Sequence, residues 1–232
     1  MYGQRRRELF LKVSATWVWL IFGPGLMILI LSKMWSVGVS EAIIRLYRIL
    51  SEKPYLASYV EIVYAGLLPL LFTLADREDP RKYGFHREGA LRSVALSTPL
   101  AVLIALLRGP PPFSYGLNFP WNVYYAVLTL TAYGPLEVFF VIWLVENMDS
   151  LLDGEGLISD GLLITVSVYG LLHAFCITCL NISAATLNAL MVTVVLFVLT
   201  VIYKYTGNAL GFVISWTIIN RQSLLAAIEC LM

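Results

Sequence analysis

Residues 121–145 read WNVYYAVLTLTAYGPLEVFFVIWLV, and this stretch decides the class of fold. Glu137 is the single charged residue in it. About 20 consecutive, predominantly apolar residues are enough for an α-helix to cross the hydrocarbon core of a bilayer. The stretch therefore predicts a membrane-spanning helix, and it raises the question of why an acid lies in the second half of that helix.

The composition of the whole chain agrees with a membrane protein. Hydrophobic residues make up 59% of the 232 residues and charged residues only 13%, whereas soluble domains keep roughly a quarter of their residues charged. We expect an all-α fold, a polytopic transmembrane helix bundle that forms one transmembrane domain over residues 1–232. The net charge is only +1, and no long basic segment of the kind that binds nucleic acid is present. No nucleic-acid partner is therefore expected.

Apolar runs elsewhere in the chain predict about seven spans, some of them short. A short interfacial helix is predicted after the first span, because SEAIIRLYRIL (40–50) places its aliphatic residues on one face and Arg45 and Arg48 elsewhere. The predicted spans are about 13–32, 55–75, 93–107, 121–145, 161–180, 184–203 and 209–228.

Basic residues predict the orientation of the bundle. They concentrate in the N-terminal arm and in the loop after the second span. The basic residues of these two segments are Arg5, Arg6, Arg7, Lys12, Arg77, Arg81, Lys82, Arg87 and Arg92. Basic loops face the cytoplasm, so we expect the N-terminus to lie on the cytoplasmic side. The protein would be integral to the cell membrane, or to the endoplasmic reticulum membrane in a eukaryote. The loop 146–160 would return to the same side although it carries five acids and no base; acidic residues count little in this rule.

Three ionisable residues lie within predicted spans: Glu61, Glu137 and His173. Such a group costs several kcal/mol to bury, so it is a functional hypothesis by default. Glu61 lies two turns inside its span and is interpreted as a structural or interface-facing acid. Glu137 follows Gly134-Pro135, which loosens the helical ladder and lets a neighbour approach. The alternative is a Glu–His contact that only holds two helices together.

Spacing adds further polar side chains to the candidate site. Tyr169 and His173 are four residues apart and share a helix face, and so do Trp216 and Asn220. An acid, an imidazole and an amide that converge could hold a water, its base and a donor for a developing oxyanion. No cofactor is expected. A zinc site is poorly supported, because the chain has two histidines and zinc usually takes three protein ligands.

The order of these positions resembles the CAAX prenyl protease and bacteriocin-processing (CPBP, Abi) family of intramembrane glutamic proteases. That family carries Glu-Glu-x-x-x-Arg, Phe/Tyr-x-x-x-His and His-x-x-x-Asn motifs on successive core helices. Here YGPLEVFFVIW stands at the first motif, YGLLH matches the second and WTIIN stands at the third. The segments KYGFHREGALRSVALSTPLAVLIALL and VLTVIYKYTGNALGFVISWTIIN are also similar to the family, so the resemblance covers about residues 80–225.

The resemblance implies roles for five residues. Glu137 would be the base that activates water, His173 would position that water, and Asn220 would donate to the oxyanion. Tyr169 and Trp216 would line the cavity. Trp216 stands where the family has a histidine, and its indole offers only a donor.

The register of the first motif is open. With Glu137 as the first glutamate, Val138 and Ile142 replace the second glutamate and the arginine. With Glu137 as the second, Leu136 and Val141 replace the first glutamate and the arginine.

The function implied by the resemblance is an intramembrane peptidase. It would use a Glu-activated water to hydrolyse a peptide bond near the C-terminus of a membrane-anchored or lipidated protein. The replaced motif positions favour an alternative, a catalytically inactive relative (a pseudoenzyme) that acts as a membrane binding or assembly subunit, so enzymatic activity is left open. A third alternative is a proton-coupled transporter with Glu137 and His173 as its relay. The partners expected are the lipid bilayer and either a substrate protein or a partner subunit.

Overall fold

The computed structural model describes residues 2–108, 116–174 and 182–220, and within these ranges the chain is helical with no β-strand. This confirms the predicted all-α class. The α-helices of the described ranges are α1 Tyr2–Trp35, α2 Val39–Glu52, α3 Ala57–Glu61, α4 Leu67–Ala75, α5 Ala90–Arg108, α6 Trp121–Thr131, α7 Glu137–Leu152, α8 Asp160–Leu172, α9 Ile182–Thr206 and α10 Leu210–Ile219.

Five helical stretches in the described part of the chain are long and apolar enough to cross a membrane. They are Gln4–Trp35, Ala57–Ala75, Ala90–Arg108, Trp121–Leu152 and Ala185–Thr206. The predicted fifth and seventh spans coincide with α8 and α10, which are apolar but shorter, at 13 and 10 residues. The described residues His173, Ala174 and Asn220 lie past the ends of these two helices, and the rest of the two predicted spans, 175–180 and 221–228, falls outside the described residues.

Helix α7 lies at the centre of the bundle. Its residues 138–145 are all buried, as expected for a helix that is apolar on every side. A π-helical turn, Ala132–Leu136, joins it to α6, and a second π-helical turn, Ile62–Gly66, joins α3 to α4. The two turns pack together, since a Cβ added to Gly66 would lie 3.2 Å from Leu136 Cβ.

A hydrogen-bonded junction fixes α10 against α5 and the loop before it. Asn208 donates from its amide to the carbonyls of His86 (2.6 Å) and Glu88 (2.9 Å). Ser93 Oγ donates to the Asn208 carbonyl at 2.8 Å and accepts from the Gly211 N–H at 3.1 Å. The two segments that carry the family resemblance outside the short motifs therefore pack against each other.

One end of the bundle collects the basic arm and the acidic loop. Arg6 donates to the Leu151 carbonyl at 2.6 Å and pairs with Asp153 at 3.0 Å. Lys12 pairs with Asp76 at 2.5 Å, which places the ends of α1 and α4 together. The acid-rich connection between α7 and α8 thus lies beside the basic N-terminal arm. The positive charge of the arm offsets part of the negative charge of the connection.

A buried ion pair ties α7, α8 and α9 at the same end. Lys204 Nζ lies 2.7 Å from both Asp149 Oδ2 and Ser159 Oγ, and Ser159 donates to Asp149 Oδ2 at 2.8 Å. The other oxygen, Asp149 Oδ1, accepts from the Gly161 N–H at 3.0 Å. Ser159 is also the N-cap of α8, with Leu162 N–H donating to its hydroxyl, so one cluster satisfies several orphan groups.

Candidate functional site

Glu137 is the centre of a polar cluster in the core of the bundle. Its side chain is only 2% exposed. Glu137 Oε1 accepts from the Tyr169 hydroxyl at 2.8 Å, and Oε2 accepts from the Trp216 indole N–H at 2.7 Å. Both donors are themselves buried. Three helices, α7, α8 and α10, therefore meet at one carboxyl group.

The local sequence explains how α10 comes close enough. Pro135 has no N–H and sits in the π-helical turn that precedes Glu137. Gly134 in the same turn leaves room for α10, since a Cβ there would lie 2.7 Å from Thr217 Oγ1. Trp216, which precedes Thr217 on α10, can then reach the Glu137 carboxyl group.

His173 faces the same carboxyl group from the end of α8. Its Nδ1 lies 2.9 Å from the Tyr169 carbonyl, and its ring stands edge-on to the Tyr169 ring at 4.9 Å. A carbonyl only accepts hydrogen bonds, so Nδ1 must carry the hydrogen. His173 Nε2 then lies 3.7 Å from Glu137 Oε1 with the imidazole side chain 26% exposed.

This geometry leaves two acceptors directed at one region. In the neutral ring Nε2 has a lone pair without a hydrogen, and Glu137 Oε1 can accept a second hydrogen bond besides the one from Tyr169. A separation of 3.7 Å is beyond a direct hydrogen bond, but one water can lie within hydrogen-bond distance of both atoms and donate to each. The same spacing also suits an imidazolium–carboxylate pair.

Glu61 joins the cluster, which the sequence interpretation missed. The Tyr169 hydroxyl lies 2.9 Å from Glu61 Oε1, besides its contact with Glu137. Glu61 is half-buried and ends α3, immediately before the π-helical turn that packs against the turn preceding Glu137. The only available signal was its presence in a predicted span. Nothing in the local sequence pairs it with α8.

Asn220 lies one turn after Trp216, where α10 ends. Its backbone N–H donates to the Trp216 carbonyl at 2.8 Å, and the residue is half-buried. Its role as an oxyanion donor remains a prediction. Within the described ranges no group of three or more His, Cys, Asp or Glu residues could hold a metal ion, and the preference against zinc likewise remains a prediction.

Comparisons with protein-family models, curated proteins and solved structures found no match to this chain.

Proposed function

We propose that the chain crosses the membrane seven times and that α2 lies at the membrane surface. The five long helical stretches supply five of the proposed crossings, and the shorter apolar helices α8 and α10 supply the other two. Helix α2 keeps Ile43, Leu46 and Leu50 half-buried and turns Arg45 outward, a pattern that suits a helix lying in the interface.

The proposed orientation has the N-terminus in the cytoplasm, in the cell membrane or the endoplasmic reticulum. Its support is that Arg6 and Lys12 lie at the same end as the basic loop after α4, and basic residues are retained on the cytoplasmic side. The ion pair between Arg6 and Asp153 supports placing the acidic loop at the same end as the basic arm.

The proposed activity is that of an intramembrane peptidase similar to CAAX-processing endopeptidases. The observation that carries it is the 3.7 Å between Glu137 Oε1 and His173 Nε2, with the hydrogen of His173 held on Nδ1. A water donating to both atoms has its own lone pairs free for attack. That is the arrangement general-base hydrolysis requires.

The reaction balances with these groups. Glu137 takes one proton as the water oxygen bonds to the peptide carbonyl carbon, and the carbonyl oxygen becomes an oxyanion. Asn220 is the proposed donor to that oxyanion. The carbon–nitrogen bond then breaks, and the leaving amine receives the proton from Glu137. The substrates proposed are membrane-anchored or lipidated proteins cut near their C-terminus, as the family resemblance implies, and a site among apolar helices suits substrates of this kind.

The test is cleavage of a panel of prenylated and unlipidated C-terminal peptides by purified protein. Glu137→Gln is expected to lower turnover by about 10²–10⁴-fold, the usual contribution of a general base. Glu146→Gln is the matched control, because Glu146 is also on α7 and also accepts from a tyrosine, Tyr203, at 3.0 Å. It should retain activity. Unchanged turnover in Glu137→Gln would contradict the proposal.

A second function is favoured by the position of Trp216. Its indole N–H donates to Glu137 Oε2 at 2.7 Å. In the family that the chain resembles, a histidine stands at the position of Trp216. An indole cannot accept a proton as an imidazole does. This observation supports the inactive relative that binds or assembles a membrane partner. That reading expects no cleavage of any peptide by well-folded protein, and partner binding that survives both Glu137→Gln and His173→Ala.

A further inference from the structure

The hydroxyl of Tyr169 is in contact with two carboxyl groups at once. Glu61 Oε1 lies 2.9 Å and Glu137 Oε1 lies 2.8 Å from the same oxygen. A tyrosine hydroxyl has one hydrogen to donate and can accept through its lone pairs. It can therefore satisfy one carboxylate as a donor. The second contact is a full hydrogen bond only if the other carboxyl group is protonated and donates to Tyr169.

The surrounding charges lead to the same requirement. Two ionised carboxylates around one oxygen repel each other, and sharing a single proton relieves that repulsion. The titratable groups that face the pair come from α8, as Tyr169 and His173, and the other facing donor is the Trp216 indole on α10. Lys and Arg are not among the described contacts of this cluster.

We propose that Glu61 and Glu137 hold one proton jointly through the Tyr169 hydroxyl. The chain is a carboxylic O–H donating to the tyrosine oxygen, whose own O–H donates to the opposite carboxylate. Moving one proton from a carboxyl group to Tyr169, and the tyrosine proton onward, exchanges the acid and the carboxylate. The number of protons is unchanged, so the proton belongs to the pair and not to either residue.

The shared proton gives Glu61 a function in the proposed peptidase, and this function rests on the proposed peptidase activity. With the proton on Glu61, Glu137 is the carboxylate that can accept a proton from water. With the proton on Glu137, the same group is an acid that can protonate a leaving amine. Glu61 touches neither the water nor the substrate, so it is a positioning residue that acts through Tyr169.

The test is infrared spectroscopy of the purified protein at neutral pH, in a detergent that has no carbonyl group. A protonated carboxyl group has a carbonyl stretch well separated from the bands of a carboxylate. The wild-type protein should show such a band, and both Glu61→Gln and Glu137→Gln should remove it, because each substitution leaves a single acid with no like charge to offset. Tyr169→Phe should shift the band, because the acid loses its hydrogen-bond acceptor.

The matched control is Glu78→Gln, outside the spans. Burial raises the pKa of Glu78, but hydrogen bonds from Lys82 and Tyr83 outweigh burial and leave the pKa below its ordinary value. Glu78 is therefore ionised at neutral pH, and replacing it should leave the protonated-carboxyl band unchanged.

Several results would overturn the inference. A wild-type protein without the band has no shared proton, and a band that survives in both glutamate variants belongs to another acid. Loss of the band in only one variant assigns the proton to that residue alone. If a glutamate variant does not fold, an unshifted band in Tyr169→Phe decides against the inference. The spectrum needs no substrate, so an inactive protein that shows the band refutes only the proposed peptidase.

Discussion

Helix α7 carries two buried acid clusters that are built in opposite ways. At Asp149 each carboxylate oxygen has donors, and the cation Lys204 balances the charge. At Glu137 two carboxyl groups share one hydroxyl, and the nearest basic group is the partly exposed imidazole of His173. The first cluster has a partner for each charge, whereas the second has more acceptors than donors.

The difference favours a structural role for the Asp149 cluster and supports the proposed acid–base role of the Glu137 cluster. A buried charge whose hydrogen bonds and counter-charge are complete has nothing left to offer a substrate. A cluster with more acceptors than donors favours keeping a proton, because protonation relieves the repulsion between its carboxylates, and groups with proton affinity shifted in this way are common at sites of acid–base chemistry. We therefore expect replacement of the carboxylate by an amide to lower the free energy of unfolding strongly at Asp149 and only slightly at Glu137.

The largest effect is expected for Asp149→Asn. The amide group would point hydrogens at Lys204 and Ser159, and the lysine would be left buried without its counter-charge, its side chain only 13% exposed. Removing one partner of a buried ion pair typically costs about 3–5 kcal/mol. The free energy of unfolding, measured by titrating the purified protein with SDS, should fall by that amount.

Asp153→Asn is the matched control for that prediction. It makes the same chemical change in the pair with Arg6, where the two side chains are 71% and 46% exposed. Exposed pairs contribute roughly 0–1 kcal/mol, so this variant should unfold close to the wild type. Equal losses at both positions would show that burial is not what distinguishes the Asp149 cluster.

An intermediate effect is expected for Gly170→Ala, next to Tyr169 on α8. The added Cβ would lie 2.8 Å from Thr193 Cβ and 2.9 Å from its Cα, so α9 must move. Overpacking of this kind costs about 1–3 kcal/mol, and the unfolding free energy should fall accordingly. Gly25→Ala is the control, because its Cβ would meet nothing within 4 Å; it should gain about 0.5–1 kcal/mol. A Gly170→Ala protein as stable as wild type would show that α8 and α9 can separate freely.

The smallest effect is expected for the stability of Glu137→Gln. The glutamine oxygen can accept from Trp216 while its NH₂ donates to Tyr169, whose hydroxyl then donates to Glu61. Each group keeps a partner, so the unfolding free energy should stay within about 1 kcal/mol of wild type. The SDS titration used for Asp149→Asn measures it. A loss as large as that of Asp149→Asn would place Glu137 among the structural acids.

Part of the site was predictable from the sequence because its signals are local. Glu137 and His173 are conspicuous in apolar runs, and the four-residue spacing puts Tyr169 and His173 on one helix face. The sequence predicts that Glu137, His173 and Asn220 converge; the structure places Tyr169 and Trp216 in hydrogen-bond contact with Glu137. The catalytic assignment of these residues stays a prediction.

Other parts of the site were not predictable, since they depend on how distant helices rotate and approach. Glu61 is 108 residues from Tyr169, and its hydrogen bond requires two π-helical turns to pack together through Gly66. The pairing of Asp149 with Lys204 likewise links α7 to α9. Neither contact leaves a periodic signal in the chain.

By itself the sequence determined that this protein is helical and membrane-embedded, because hydropathy and helical period act over one or two turns and need no partner. Only the tertiary structure decided which buried acid has a donor for each oxygen and a counter-charge, and which two acids meet at one tyrosine hydroxyl. That outcome depends on distances of about 3 Å between side chains on different helices, and these are set by glycine contacts, π-helical turns and helix rotation together.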